Sequence, residues 1–104
     1  MDKLFSHGSQ WIKADFHLHT RADKEFTYRD EDNDYLNNYA KALVDSGIKL
    51  GVVTNHNKFN LDEFKQLRKK ARKSEVGLLP GIELSVKDGQ AGIHTLVIFS
   101  DDWI

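Results

Sequence analysis

The chain has 104 residues, a length suited to one small domain, and a chain of this size buries roughly 65% of its unfolded surface in one modest core. Lys+Arg total 15 against Asp+Glu 16, for a net charge of −1, which argues against a strongly basic nucleic-acid module while leaving room for a local basic patch. There are no cysteines, so disulfides and thiolate metal sites are excluded and any metal must be held by His, Asp or Glu.

"MDKLFSHGSQW" lacks the apolar centre of a signal peptide, and no run approaches the ~20 apolar residues needed to span a bilayer. A soluble, cytoplasmic chain without membrane contact is expected. The first predicted element is a strand from Ile12 to Leu18, inside "WIKADFHLHT". The polar stretch "RADKEFTYRDEDND", Arg21 to Asp34, predicts a long loop leading to a helix N-terminus. Leu36, Tyr39, Ala40 and Leu43 carry the stripe of a helix from about Tyr35 to Ser46, closed by Gly47 in the C′ position.

"IKLGVVT" follows as a continuous apolar run, the pattern of a strand covered on both faces. Asn60, with Glu63 three residues on, predicts a capping box at the start of a second helix. Leu61, Phe64, Leu67 and Ala71 form its stripe, "RKKARK" loads its last turns, and Gly77 is expected to end it. "LLPGIELSV" and "GIHTLVIF" predict two more strands joined as a hairpin. The order is β-α-β-α-β-β, an α/β chain with βαβ units and a mainly parallel sheet or barrel.

Three stretches carry chemistry. In "DFHLHT", His17 and His19 are two apart on a strand, so they share a face about 6.6 Å apart along the chain. Imidazoles so placed converge on one divalent ion through bonds of about 2.0–2.1 Å. Asp15, two residues earlier, is expected to orient one imidazole. The bland reading is two polar residues on a wetted strand face. In "TNHN", His56 is expected in the turn after the apolar strand, where the ends of parallel strands assemble sites; alone it reads more readily as a turn histidine among loop-favouring Asn residues.

In "GIELS" and "GIHTL", a two-residue turn at Asp88-Gly89 would set Glu83 opposite His94, with Ile82, Leu84 and Val86 on the other face. A two-residue shift of register would keep Glu83 and His94 on one face. A carboxylate in so apolar a strand needs a partner, because an unpaired buried charge is costly.

In their order and spacing, "DFHLHT", "GVVTNHN", and "LLPGIELS" with "GIHTLVIF" resemble the first motifs of the PHP (polymerase and histidinol phosphatase) superfamily, across about residues 9–99. "GSQWIKADFHLHT" and "HTLVIFSDDW" also look like PHP domains at the front of large SMC-related ATPases, the TrlF-like family. The resemblance implies the N-terminal part of a distorted (β/α)7 barrel with two or three divalent ions, Zn, Mn or Fe, in a complete site.

It further implies hydrolysis of phosphate esters of nucleotides, nucleic-acid ends or small metabolites. His17 and His19 would bind one ion, Glu83 would bridge it to a second held by His94, and His56 would belong to a third site; catalysis would rest on Glu83, His17 and His19. Asp15 and Asn55 are expected behind the ligands, and Arg21 and Lys58 are candidate phosphate contacts, although each also reads as an ordinary loop charge.

The chain departs from the family pattern in three ways. Asn55 stands where the family usually has Asp, which removes a charge beside His56. The loop residue that completes the third site in some members has no clear counterpart here, Asp23 and Glu25 both being candidates. The later family motifs, an "HP" histidine and an Asp-x-His pair, do not occur before Ile104, so the chain is expected to be the N-terminal part of a longer protein or a truncated reading frame. A C-terminal domain or partner chain would then complete the barrel and cover an exposed sheet edge. The competing readings are a non-catalytic, metal-stabilised interaction or regulatory half-domain of a larger ATPase or polymerase-like assembly, and a plain α/β domain without metal.

Overall fold

The computed structural model describes residues 11–23, 34–88, 91–100 and 102. Four strands and two helices follow one another as β1 (Lys13–Leu18), α1 (Tyr35–Asp45), β2 (Ile48–His56), α2 (Leu61–Lys73), β3 (Gly77–Asp88) and β4 (Ala91–Ile98). They form an α/β structure whose mixed sheet has the order β1-β2-β3-β4. β1, β2 and β3 run parallel, and β4 returns antiparallel to β3. The loop expected over Arg21–Asp34 lies largely outside the described residues, as does Glu25.

The helices pack on each other and on one face of the sheet. Leu43 of α1, Phe64, Leu67 and Ala71 of α2, and Ile48, Val53, Val76 and Leu78 form the core there, with Leu18, Leu36, Tyr39 and Phe59 against it. Each helix has the stripe that its apolar spacing demands. Leu61, assigned to the stripe of α2 from its spacing, is instead 41% exposed, because it opens the helix before the stripe turns inward. β2, with neighbours on both edges, is buried along most of its length.

Helix ends follow local chemistry, with two corrections. Gly47 takes φ +74 directly after the Ser46 cap of α1, as a C′ glycine does. Gly77 does not terminate α2: that helix is capped at Ser74, Glu75 adopts φ +62, and Gly77 is the first residue of β3. Asn60 caps α2 by accepting from the Glu63 backbone N–H. The Glu63 carboxylate, however, does not complete a capping box; it accepts from the Thr20 hydroxyl.

The hairpin register also differs from the expected one. Asp88 pairs with Ala91, so Glu83 lies opposite Leu96 and Ser85 opposite His94. Gly89 and Gln90, and with them the turn, lie outside the described residues, as does the side chain of Val86. The shift is two residues, which preserves the face: Glu83 and His94 become diagonal neighbours. At Gly81 a Cβ would stand 2.8 Å from the Val97 carbonyl oxygen and 2.9 Å from Val52 Cγ1, so glycine permits β4 to close on β3 just before Glu83. Among the described residues no helix is long and apolar enough to cross a membrane.

Candidate metal centre

Leu18 packs on the helix side of β1, so alternation sends His17 to the other side. His19 follows the end of β1, and His56 is the last residue of β2 rather than a turn residue beyond it. His56 and Glu83 are register partners on adjacent parallel strands, which puts their side chains side by side on one face. The histidines of β1 and β2 thus meet at the C-terminal ends of those strands, and β3 and β4 extend past them to supply Glu83 and His94.

Glu83 is the hub. Its residue is 2% exposed, and its carboxylate faces four imidazoles. Oε1 pairs with His17 Nε2 and lies 3.9 Å from His19 Nε2. Oε2 pairs with His56 Nε2 and lies 3.0 Å from His94 Nδ1. His94 Nδ1 is also 3.3 Å from Ser85 Oγ. Burial pushes the Glu83 carboxyl up, but hydrogen bonds to His17 and His94 and the positive fields of His56 and His17 outweigh it, holding the group below its ordinary value. His19 and His56 are largely enclosed, while the His17 and His94 side chains are 50% and 58% exposed and form an open rim.

Asp23, one of the two acids named for a third site, lies against His19 and His56. It is 1% exposed, and one oxygen, Oδ2, stands 2.8 Å from His19 Nδ1, 2.9 Å from His56 Nδ1 and 2.8 Å from the His56 backbone N. A carboxylate accepting from both Nδ1–H groups fixes both rings with Nε2 directed at Glu83. The two rings are stacked, with centroids 4.9 Å apart. Three groups of donors therefore overlap: His17–His19–Glu83, His56–Glu83–His94 and His19–Asp23–His56, each with its ligand atoms within 4.8 Å of one another.

Asp15 does not meet an imidazole as expected; its Oδ1 accepts from the His17 backbone N–H at 3.0 Å, and so shapes the strand rather than a ring. Asn55 is 2% exposed and points away from His56, toward Thr20. Arg21 is exposed, with its guanidinium carbon 4.2 Å from the centroid of the Tyr35 ring, and Lys58 is exposed in the loop between β2 and α2.

Several positioning residues escaped the sequence reading. The Tyr35 hydroxyl accepts from the Arg21 N–H at 2.8 Å, and the Tyr39 hydroxyl donates to the His19 carbonyl at 2.7 Å, so α1 pins the segment after β1. Asn57, at φ +50, turns the chain after His56, donates its N–H to the Glu83 carbonyl and accepts from the Ser85 N–H. Tyrosines at i and i+4 read as core, and an Asn after a strand reads as a turn; only their hydrogen-bond partners reveal the further role.

A scan against protein-family models and a search of curated proteins each return no match to this chain.

Proposed function

We propose that this chain is a metal-dependent phosphoesterase module of the PHP type, acting on phosphate esters of nucleotides, nucleic-acid ends or small metabolites. The observation that carries the reading is the buried Glu83 carboxylate with four imidazole nitrogens around it, drawn from β1, its following loop, β2 and β4. An isolated buried charge is costly, and neutral imidazoles with carboxylates are the donor set of Zn, Mn and Fe sites in a chain without thiols. His17, His19, His56, Glu83 and His94 would hold the ions, with Asp23 on the far nitrogens of His19 and His56. Divalent ions held by these residues would supply water activation and charge neutralisation at a phosphoryl group.

The chain's own residues do the rest. Glu83 stays ionised and offers one oxygen to each neighbouring group, which favours a bridge. The exposed sides of His17 and His94 leave the rim open to a phosphate ester. Arg21, with its guanidinium stacked on the buried Tyr35 two residues after His19, is preorganised to meet a phosphate oxygen; Lys58, exposed two residues after His56, offers a second cation. The lysines and arginines of α2 lie mainly toward its far end, as a dipole-favoured solvated face.

Metal analysis of the purified chain, with a phosphatase and nuclease panel in Mn²⁺ or Zn²⁺, tests the reading. Bound metal with turnover supports it. A second reading has its own support: β4 displays Ile93, Leu96 and Ile98, 48%, 38% and 46% exposed, on an edge strand beside the open rim. That favours a metal-stabilised interaction module, for which bound metal without turnover is the signature.

A further inference from the structure

Behind the metal ligands, on the helix side of the sheet, lies a second polar cluster: Thr20, Asn55 and Glu63. Thr20 is 0% and Asn55 2% exposed. Every proton in it is placed by elimination. The Thr20 backbone N–H can only donate, and it does so to Asn55 Oδ1 at 2.8 Å. That fixes the amide, so Nδ2 faces the Thr20 hydroxyl and donates to it at 2.9 Å. The Ala22 N–H donates to the same hydroxyl oxygen at 3.3 Å. Both lone pairs are then used, and the single hydroxyl proton goes to the Glu63 carboxylate on α2.

Residue 55 must therefore be a donor as well as an acceptor, because residue 63 is an acid. The acid that accepts from this hydroxyl stands across Thr20 from residue 55, on α2. The neighbours of the cluster are the ligands themselves. His19 and His56 directly precede Thr20 and follow Asn55, and Asp23 donates its N–H to the Thr20 carbonyl at 3.0 Å.

We infer that Asn55 and Glu63 form an obligate donor–acceptor pair through the Thr20 hydroxyl, and that this pair positions His19, Asp23 and His56 for the ion. The inference rests on the metal reading for its second half only. Asn55→Asp sets a buried carboxylate and a half-buried one, that of Glu63, on one hydroxyl proton. Glu63→Gln alone keeps an acceptor, the amide oxygen, and is mild. Combining the two reverses the chain of hydrogen bonds. The new amide at position 63 donates to the hydroxyl, and the hydroxyl donates to the new carboxylate at position 55. The other oxygen of that carboxylate still accepts from the Thr20 N–H.

The experiment is a double-mutant cycle on the full chain with N55D, E63Q and N55D/E63Q. Thermal melts in chelator read the pair without metal, and Zn²⁺ titration calorimetry reads the positioning. N55D should melt lowest or fail to fold, and the double variant should recover most of the loss. Zn²⁺ affinity should fall about tenfold or more in N55D, the range seen when groups orienting a ligand are lost, and return to within about threefold in the double variant.

Additive melting shifts overturn the pair whatever the metal does. Coupled melts with undiminished Zn²⁺ affinity in N55D overturn the positioning role. Failure of the unmodified chain to take up Zn²⁺ overturns the metal reading itself, and is seen before any variant is compared.

Discussion

Replacing Glu83 with Gln is the sharpest test of the proposed centre, because the side chain belongs to two of the three overlapping donor groups and Gln keeps its shape. An ion at about 100 times its dissociation constant stabilises the folded chain by about 2.7 kcal/mol. For a domain of this size each kcal/mol moves the melting midpoint by about 4–8 °C, so each ion held is worth about 10–20 °C.

Removing the carboxylate strips both the His17–His19 and the His56–His94 groups of their shared acid. The His19–Asp23–His56 group remains, and it could hold an ion only by giving up the Nδ1 protons that Asp23 accepts. The expected result in a zinc titration followed by thermal melts is a fall to one equivalent at most, with a loss of about 10–20 °C for each ion released. The same melts in chelator isolate the cost of the hydrogen bonds alone, about 1–3 kcal/mol for leaving buried partners unmatched. If Glu83→Gln takes up as much zinc as the unmodified chain and gains as much in midpoint, the bridging role is wrong.

Further expectations follow from the same geometry. His17→Ala with His19→Ala should abolish both the metal bound at the rim and any phosphoesterase turnover; full activity in that variant would reject the site. In chelator, the depressed Glu83 carboxyl should contribute stability that is complete above its ordinary value of 4.5 and lost as pH falls through the lower folded value. Melting midpoints taken from about pH 6 down to about pH 3 should show that acid-side loss in the native chain and a shallower one in Glu83→Gln; identical slopes would show that Glu83 is not held ionised. Gly81→Ala places a methyl against the Val97 carbonyl and Val52, and overpacking of this kind costs about 1–3 kcal/mol. A midpoint lowered by at least about 4 °C is expected, and an unchanged one would refute the close approach of β4.

Local order along this chain was legible because it is written in periodicities and caps. The stripe Leu36–Tyr39–Ala40–Leu43, the left-handed glycine after Ser46, the Asn60 cap and the unbroken apolar run of β2 each depend on residues a few positions apart. For the same reason the pairing of His17 with His19 on one face, and the retention of Glu83 and His94 on one face whatever the two-residue register, followed from strand alternation alone.

Other features depended on contacts between distant segments. Asp23 and Glu25 are equivalent in a charged stretch, and only the fold sets Asp23 against both His19 and His56. Asn55 beside His56 looked like a lost charge at the centre; strand alternation sends it to the opposite face, where Thr20 and Glu63 give it a different task. Glu63 looked like half of a capping box, yet a hydroxyl 43 positions earlier in the chain takes its carboxylate. A side chain with two acceptors bonds whichever donor the tertiary packing brings nearest, and nothing within a few residues of it records which donor that will be.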